Sequence, residues 1–315
     1  MFDAGAFVKE AGDELKRSIP GRAIIACSGG VDSATAAVLV SRAIGDRLLA
    51  IYVDTGLMRK GETAAVSDML KNLGVNFKVI DASDEFFEAL KGIVEPERKR
   101  KVIGEKFIRI FERAAREFNA EYLVQGTIAP DWIESGDKLR DTIKSHHNVG
   151  GLPSDMRLKL VEPMRDLYKD EVRKVARHLG VEVSERQPFP GPAFAIRIMD
   201  EVTPEAAEIV RNACAIVEEE LEKASDQGKM ERPWQCFAVL LPVRSVGVHG
   251  DRRAYGRTIA IRAVDSIDGM SAEYSKIPHE VLETISVRIT NEMKDKVNRV
   301  VYDVTNKPPA TIEWE

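Results

Sequence analysis

Ser28-Gly29-Gly30-Val31-Asp32-Ser33 has the residue types and the spacing to hold phosphate. Two adjacent glycines let the backbone approach a ligand and turn its N–H groups inward. The hydroxyls of Ser28 and Ser33 can donate to phosphate oxygens. Asp32 is the discordant member. A carboxylate beside phosphates is unfavourable unless a cation lies between them, so the pattern implies Mg²⁺ at Asp32. The apolar run Ala23 to Cys27 reads as a short buried strand, and Ala34 to Val40 reads as the start of a helix that ends at Gly45. A strand, a glycine-rich turn and a helix N-terminus make an anion site, the helix adding unpaired donors and partial positive charge. No Lys follows the glycines, so this is not a Walker A loop. A plain tight turn with Ser33 as a helix cap is the alternative for a lone Gly-Gly.

Four further segments carry chemistry-bearing residues. Asp131 and Glu134 follow a strand ending near Val124 and put two carboxylates at the sheet edge; a solvated acidic turn is the alternative for Glu134. Lys144, His146 and His147 precede Gly150-Gly151, a combination suited to a hinged lid whose cation and imidazoles meet nucleotide charge or shuttle protons. A structural loop is the alternative there, and adjacent histidines do not make a zinc site. Glu97 to Lys101 is a short basic run opening a helix, a solvated face or a phosphate contact. Pro242 to Arg253 reads as a Gly-containing loop with three arginines, and arginine forks suit phosphate. The tail, Asn306 to Glu315, ends in an aromatic and two acids behind a Pro-Pro pair. An ordered tail that joins a site is expected, against the usual frayed terminus.

Elements able to position these residues alternate through the first half. Strands are expected at 48–53, 75–80, 121–124 and 158–163, and helices at 62–73, 105–118 and 170–179. That order predicts an α/β fold with a doubly wound parallel sheet, ligands binding beyond the carboxyl ends of its strands. Pro188-Phe189-Pro190-Gly191-Pro192 reads as a joint, dividing the chain into domains at 1–187 and 188–315. Beyond it come a helix at 205–223, strands at 237–243 and 258–264, a helix at 279–293 and a strand at 299–304, a small α+β domain. The chain has 315 residues and a formal net charge of -5, which argues against a general nucleic-acid binder. No run is apolar enough to span a bilayer. Cys27, Cys214 and Cys236 form neither a metal pair nor a disulfide framework, so a reducing cytoplasm is expected.

The strand–SGGVDS–helix unit fits the ATP pyrophosphatase (PP-loop) superfamily. The segments VDTGLMRK (53–60), KRKVIG (99–104), QGTIAPDWIES (125–135), IKSHHNVGGLP (143–153), PFPGP (188–192), LPVRSVGVHGD (241–251) and NKPPATIEWE (306–315) closely resemble the ATP-pyrophosphatase subunit of GMP synthase. The resemblance covers the chain from end to end. It implies that MgATP adenylates the C2 oxygen of XMP and that ammonia then displaces AMP to give GMP. It implies that Ser28, Gly29, Gly30, Val31, Asp32, Ser33, Ala34 and Val53 bind ATP. Asp32, Asp131, Glu134, Lys144, His146 and His147 would form the catalytic edge and lid. Arg100, Asp251, Arg253, Lys307, Thr311, Ile312 and Glu313 would hold XMP. A homodimer through the C-terminal domain and a separate glutamine amidotransferase subunit supplying ammonia are also implied, with no role for nucleic acid or membrane. The chain departs from the family pattern at Gln187, commonly His, and at Ala193-Phe194, commonly Gly-Leu. Another PP-loop adenylating ligase of the NAD synthetase kind and a non-catalytic nucleotide sensor are the alternatives.

Overall fold

The computed structural model describes residues 2–130, 158–182, 187–249 and 251–315. Its contacts group the chain into two compact units that are interleaved in sequence. Unit 1 is Met1–Thr55, Gly61–Ala82 and Gly104–Glu185; unit 2 is Gly56–Lys60, Ser83–Ile103 and Arg186–Glu315.

Unit 1 is built on five parallel strands in the order β3-β2-β1-β4-β5. They are β1 (Ala23–Ala26), β2 (Leu48–Asp54), β3 (Phe77–Asp81), β4 (Tyr122–Val124) and β5 (Lys159–Val161). Central β1 is paired on both sides, Ala23 lying opposite both Leu48 and Tyr122. Ala23, Ile24 and Ile25 are buried, as are all six residues from Leu48 to Val53. Near-continuous apolar runs of this kind belong to strands covered on both faces. The expected doubly wound sheet is present, and its strand order reverses direction between β1 and β4, where ligands bind in such sheets. Helix α1 (Ala4–Ser18), capped by the Asp3 carboxylate, was not expected from the sequence; it packs with α2 (Val31–Ile44) and α6 (Lys169–Leu179).

Two expected boundaries shift for identifiable reasons. Helix α3 (Glu62–Asn72) closes with Gly74 at φ +68°, and the Val75 N–H donates back to Leu70 O, so Val75 belongs to the turn and β3 begins at Phe77. Helix α5 (Pro96–Phe118) begins nine residues before 105, with Pro at its first position and Glu95 accepting from the N–H groups of Glu97 and Arg98. The basic run therefore lies within the helix, and Lys99 in it is fully buried rather than solvated.

Unit 2 holds α4 (Ser83–Leu90), α7 (Pro204–Asp226) and α8 (His279–Glu292), with β6 (Gln235–His249), β7 (Arg252–Asp265), β8 (Glu273–Tyr274) and β9 (Val297–Tyr302). Thr203 caps α7, and its expected stripe of Ile209, Val210, Ala213, Ile216, Val217 and Leu221 is buried. The segment read as a loop at 242–253 is a correction. After a bulge between Leu241 and Arg244, the β6–β7 ladder continues from Arg244↔Arg257 to His249↔Arg252. Gly247 in it and Gly256 on the facing strand serve packing: a Cβ on Gly247 or Gly256 would lie 2.7 or 2.8 Å from Asn298, which bonds to Ser245 through both ends of its amide. Ala193 adopts φ +54° in the short turn Ala193–Arg197, a conformation that favours the Gly commonly found there in the resembled family.

The C-terminal tail is ordered. Arg262, fully buried on β7, donates to Thr305 O, to Thr311 O at 3.0 Å and to Ile312 O at 3.4 Å, and pairs with Asp303 at 3.3 Å. Replacing Arg262 with Met removes every one of these donors and leaves Asp303 without its charge partner. The expected loss is about 3 kcal/mol in urea unfolding, with the last ten residues becoming a ready protease target. An unchanged midpoint and an intact tail would contradict this account.

Candidate active site

The loop that follows β1 emerges at the point where the strand order reverses. Gly29 sits at φ +80°, and a Cβ there would lie 2.7 Å from Val66 Cγ2, so only glycine fits. Gly30 is the N-cap of α2. The two serines lace the turn: Ser33 Oγ donates to Gly30 O at 3.1 Å and accepts from Ser28 N–H at 3.3 Å, while the two hydroxyls lie 3.3 Å apart. The first bond of the helix ladder runs from Ala34 N–H to Gly30 O. The N–H groups of Val31, Asp32 and Ser33 therefore precede the ladder and face the loop's mouth with the positive end of the helix dipole. Val53, next to the last residue of β2, is buried. Gly126, just past β4, is a residue whose role sequence reasoning missed. A Cβ on it would lie 3.2 Å from backbone atoms of Asp32 and Ser33, so the chain after β4 passes tightly against the first turn of α2.

Asp32 projects from that turn. Lys169 Nζ donates to its Oδ2 at 2.6 Å, whereas Oδ1 is buried without a hydrogen-bond partner. An orphaned carboxylate oxygen fits a hard cation. Among the described residues no three His, Cys, Asp or Glu side chains come together, so a magnesium ion at Asp32 would take its other ligands from phosphate and water, as that ion commonly does. Lys169 was not anticipated as a site residue. It is the first residue of α6, where a cation opposes the helix dipole, and Asp32 offsets that. Asp131, Glu134, Lys144, His146 and His147 lie outside the described residues.

The residues expected to hold XMP all belong to unit 2, and the structure divides them. Arg100 donates from Nη2 to Glu315 O at 2.6 Å and pairs with Glu97 at 3.3 Å. Glu313 is gripped by Arg197 through Nε at 3.1 Å and Nη2 at 2.7 Å, and by Gln235 at 3.1 Å. Thr311 Oγ1 donates to Glu313 O, Ile312 O accepts from Arg262, and Lys307 Nζ donates to Gly269 O at 2.7 Å. Asp251 and Arg253 are elsewhere, exposed at the turn of the β6–β7 hairpin. Buried Lys99 anchors the chain end, donating to Glu315 Oε2 at 2.7 Å and to the carbonyls of Ala195 and Ile198. Burial pushes the Glu315 carboxyl up despite the neighbouring Lys99 and Arg100. Gln187, the departure from His, is structural: its Oε1 accepts from Cys236 N–H at 2.6 Å and its Nε2 donates to Glu218 at 2.7 Å.

Two families of known proteins match this chain. The family described as NAD synthase matches residues 6–127, and the GMP synthase C terminal domain matches residues 219–314. Full-length relatives are subunits of glutamine-hydrolyzing GMP synthase. The chain is 59% identical over 319 residues to the one from Methanopyrus kandleri, 56% identical over 314 residues to that of Thermoplasma acidophilum, and 57% identical over 318 residues to that of Pyrococcus horikoshii. Each alignment covers 100% of both chains.

Asp32→Asn keeps the shape of the side chain and removes the charge a cation would meet. It is expected to weaken binding of magnesium-nucleotide by at least about tenfold, ~1.4 kcal/mol, in a calorimetric titration. Equal affinity in the two proteins would remove Asp32 from the metal site.

Proposed function

This chain belongs to the family of glutamine-hydrolyzing GMP synthase subunits that it matches end to end, and from that premise we propose that it makes GMP from XMP. It is an ATP-using ligase. The C2 oxygen of XMP attacks the α-phosphorus of ATP, and pyrophosphate leaves. Ammonia then adds at C2, and AMP leaves with the C2 oxygen. The observation that carries this choice is the match of residues 219–314 to the GMP synthase C-terminal domain, because residues 6–127 taken alone also match NAD synthase. An NAD synthetase-like ligase gives no account of the tail held by Arg262, Arg197 and Lys99.

In this reading the N–H groups at the start of α2 and the hydroxyls of Ser28 and Ser33 bind the departing pyrophosphate. That is stabilisation by fixed dipoles rather than by a covalent intermediate. Asp32 would hold Mg²⁺, which would supply neutralising charge for the phosphates. Lys169 keeps the Asp32 carboxylate aimed into the loop. Asp131, Glu134, Lys144, His146 and His147 form the catalytic edge and lid. Arg100, Asp251, Arg253, Lys307, Thr311, Ile312 and Glu313 bind XMP, with the Glu313 carboxylate already oriented by Arg197 and Gln235.

Relatives that are each one subunit of a larger enzyme imply a second, separate subunit, which we assign as the glutaminase that supplies ammonia. The thiols of this chain support that division. Burial pushes Cys27 and Cys236 up to about 12 and Cys214 up to about 11, so none offers the thiolate a glutaminase nucleophile needs. Three free cysteines suit a reducing cytoplasm, and among the described residues no helix is long and apolar enough to cross a membrane. A homodimer through the C-terminal domain completes the proposal.

The test follows pyrophosphate and GMP in mixtures of the purified chain, XMP, MgATP and either ammonium or glutamine. GMP is expected with ammonium and not with glutamine. Absence of XMP-dependent pyrophosphate would overturn the assignment, and turnover of glutamine by this chain alone would overturn the separate glutaminase.

A further inference from the structure

Gln235, buried at the start of β6, spends both of its amide hydrogens. Its Nε2 donates to Glu313 Oε1 at 3.1 Å and to Pro188 O at 3.2 Å. Reversing this amide would set its oxygen against a carboxylate and a carbonyl, two acceptors, so its direction is fixed by those partners. Pro188 O is therefore part of what aims Gln235 at Glu313.

The structural bonds of Gln187 hold Pro188 in place. Gln187 Oε1 accepts from Cys236 N–H at 2.6 Å, and its Nε2 donates to Glu218 Oε1 of α7 at 2.7 Å. An acceptor facing an N–H and a donor facing a carboxylate leave one orientation for this amide as well. Strand β6 lies at the edge of its sheet, and there the Cys236 N–H finds a side-chain acceptor. Residues 187 and 188 thus clasp residues 235 and 236. Gln187 does so by its side chain onto backbone, and Pro188 by its carbonyl onto a side chain. Arg59 adds a cation to the clasp: its Nη2 donates to Gln187 O at 3.1 Å, and its Nε lies 3.8 Å from Glu218 Oε1.

The clasp decides which atom of Glu313 is left for a ligand. A carboxylate offers about four lone-pair positions. Arg197 fills one on each oxygen, through Nη2 on Oε1 and Nε on Oε2. Gln235 fills the second position on Oε1. Among the described residues no donor reaches the second position on Oε2, and the Glu313 side chain keeps 20% of its surface exposed.

We propose that Gln187 is a positioning residue for XMP: by holding Pro188 O it turns the Gln235 amide onto Glu313 Oε1 and leaves Oε2 to accept from a hydrogen-bond donor of the nucleotide. This rests on the GMP-forming reading above. A carboxylate repels the nucleotide phosphate, so the bond it makes is to a neutral N–H or O–H of XMP. Gln187 itself touches no substrate. Its effect passes through Pro188 and Gln235, and it acts on XMP affinity rather than on the ATP loop.

A donor–acceptor exchange tests this. Gln187→Glu keeps the shape of the side chain and the acceptor for Cys236 N–H, but sets a second carboxylate against Glu218. It is expected to raise KM for XMP at least about fivefold, read as XMP-dependent pyrophosphate release, with KM for ATP and kcat changed by less than about twofold. Adding Glu218→Gln reverses donor and acceptor across the same pair and is expected to return KM for XMP to within about twofold of wild type. Gln187→Met removes both bonds without adding a charge. It is expected to show the same rise in KM, and it carries the test if Gln187→Glu does not fold. An unchanged KM for XMP in the single variants would overturn the proposal. So would a rise that the exchange leaves in place, or a loss spread equally over kcat, KM for ATP and the urea midpoint, the pattern of a role confined to folding. Failure of the wild-type chain to make GMP from ammonium would instead strike the underlying functional reading.

Discussion

Three cations inside unit 2 impose the constraint on which its architecture rests. Lys99 and Arg262 are fully buried and Arg197 is 1% exposed. A charge removed from water costs several kcal/mol unless it is paired and hydrogen-bonded. All three find their carboxylates in the last thirteen residues: Asp303 for Arg262, Glu313 for Arg197 and Glu315 for Lys99. The tail is therefore the counter-charge of the unit's core. This explains why a terminus that would ordinarily fray is held to its last residue. Arg197 gains further support from the faces of Phe189, Phe194 and Phe237, with Phe237 at 4.1 Å.

Unit 1 carries the phosphate site proposed above, in a chain of net negative charge. The donors assigned to that site are backbone N–H groups at the start of α2 rather than a cluster of basic side chains. Parallel β1 is short and buried on both faces, and its carboxyl end delivers the chain to the sheet's reversal point. Gly29 lets the chain turn there, Gly126 lets the neighbouring connection close against it, and α2 contributes its unpaired N–H groups. Lys169 is a cation whose charge is already engaged by Asp32 in this loop. The electrostatics are therefore balanced locally, with one carboxylate oxygen left over.

Much of this was legible in the sequence because it is local. The glycine turn between β1 and α2, period-2 and period-3.6 burial and the capping glycines each lie within a few consecutive residues. What was missed is long-range. Lys169 and Asp32 are 137 residues apart, and nothing near either announces the pair. Lys99 looked like one of several solvated basic residues, and only Glu315, 216 residues later, makes its burial tolerable. Gly247 resembled a loop residue because glycine signals a turn more often than a cavity for another side chain. Here that side chain is Asn298, some fifty residues away in sequence.

The interleaving of the two units has the same origin. The segment 56–60 leaves the carboxyl end of β2, the sheet edge that carries the phosphate loop, yet packs with unit 2. Leu57 is fully buried, its carbonyl accepts from Phe194 N–H at 3.1 Å, and Arg211 of α7 donates to Gly56 O and to Met58 O. Arg59 lies over the Phe189 ring at 4.4 Å and donates to Gln187 O. Segment 83–103 adds α4, with Phe86 and Leu90 fully buried, and brings Lys99 and Arg100 to the tail. A cut at the Pro-rich joint would strand both segments away from their packing partners and leave Arg211 and Lys99 with their acceptors removed. The sequence joint at 187/188 is thus a change of element pattern. The physical boundary crosses the chain five times, and two of those crossings bracket the loop that follows β2.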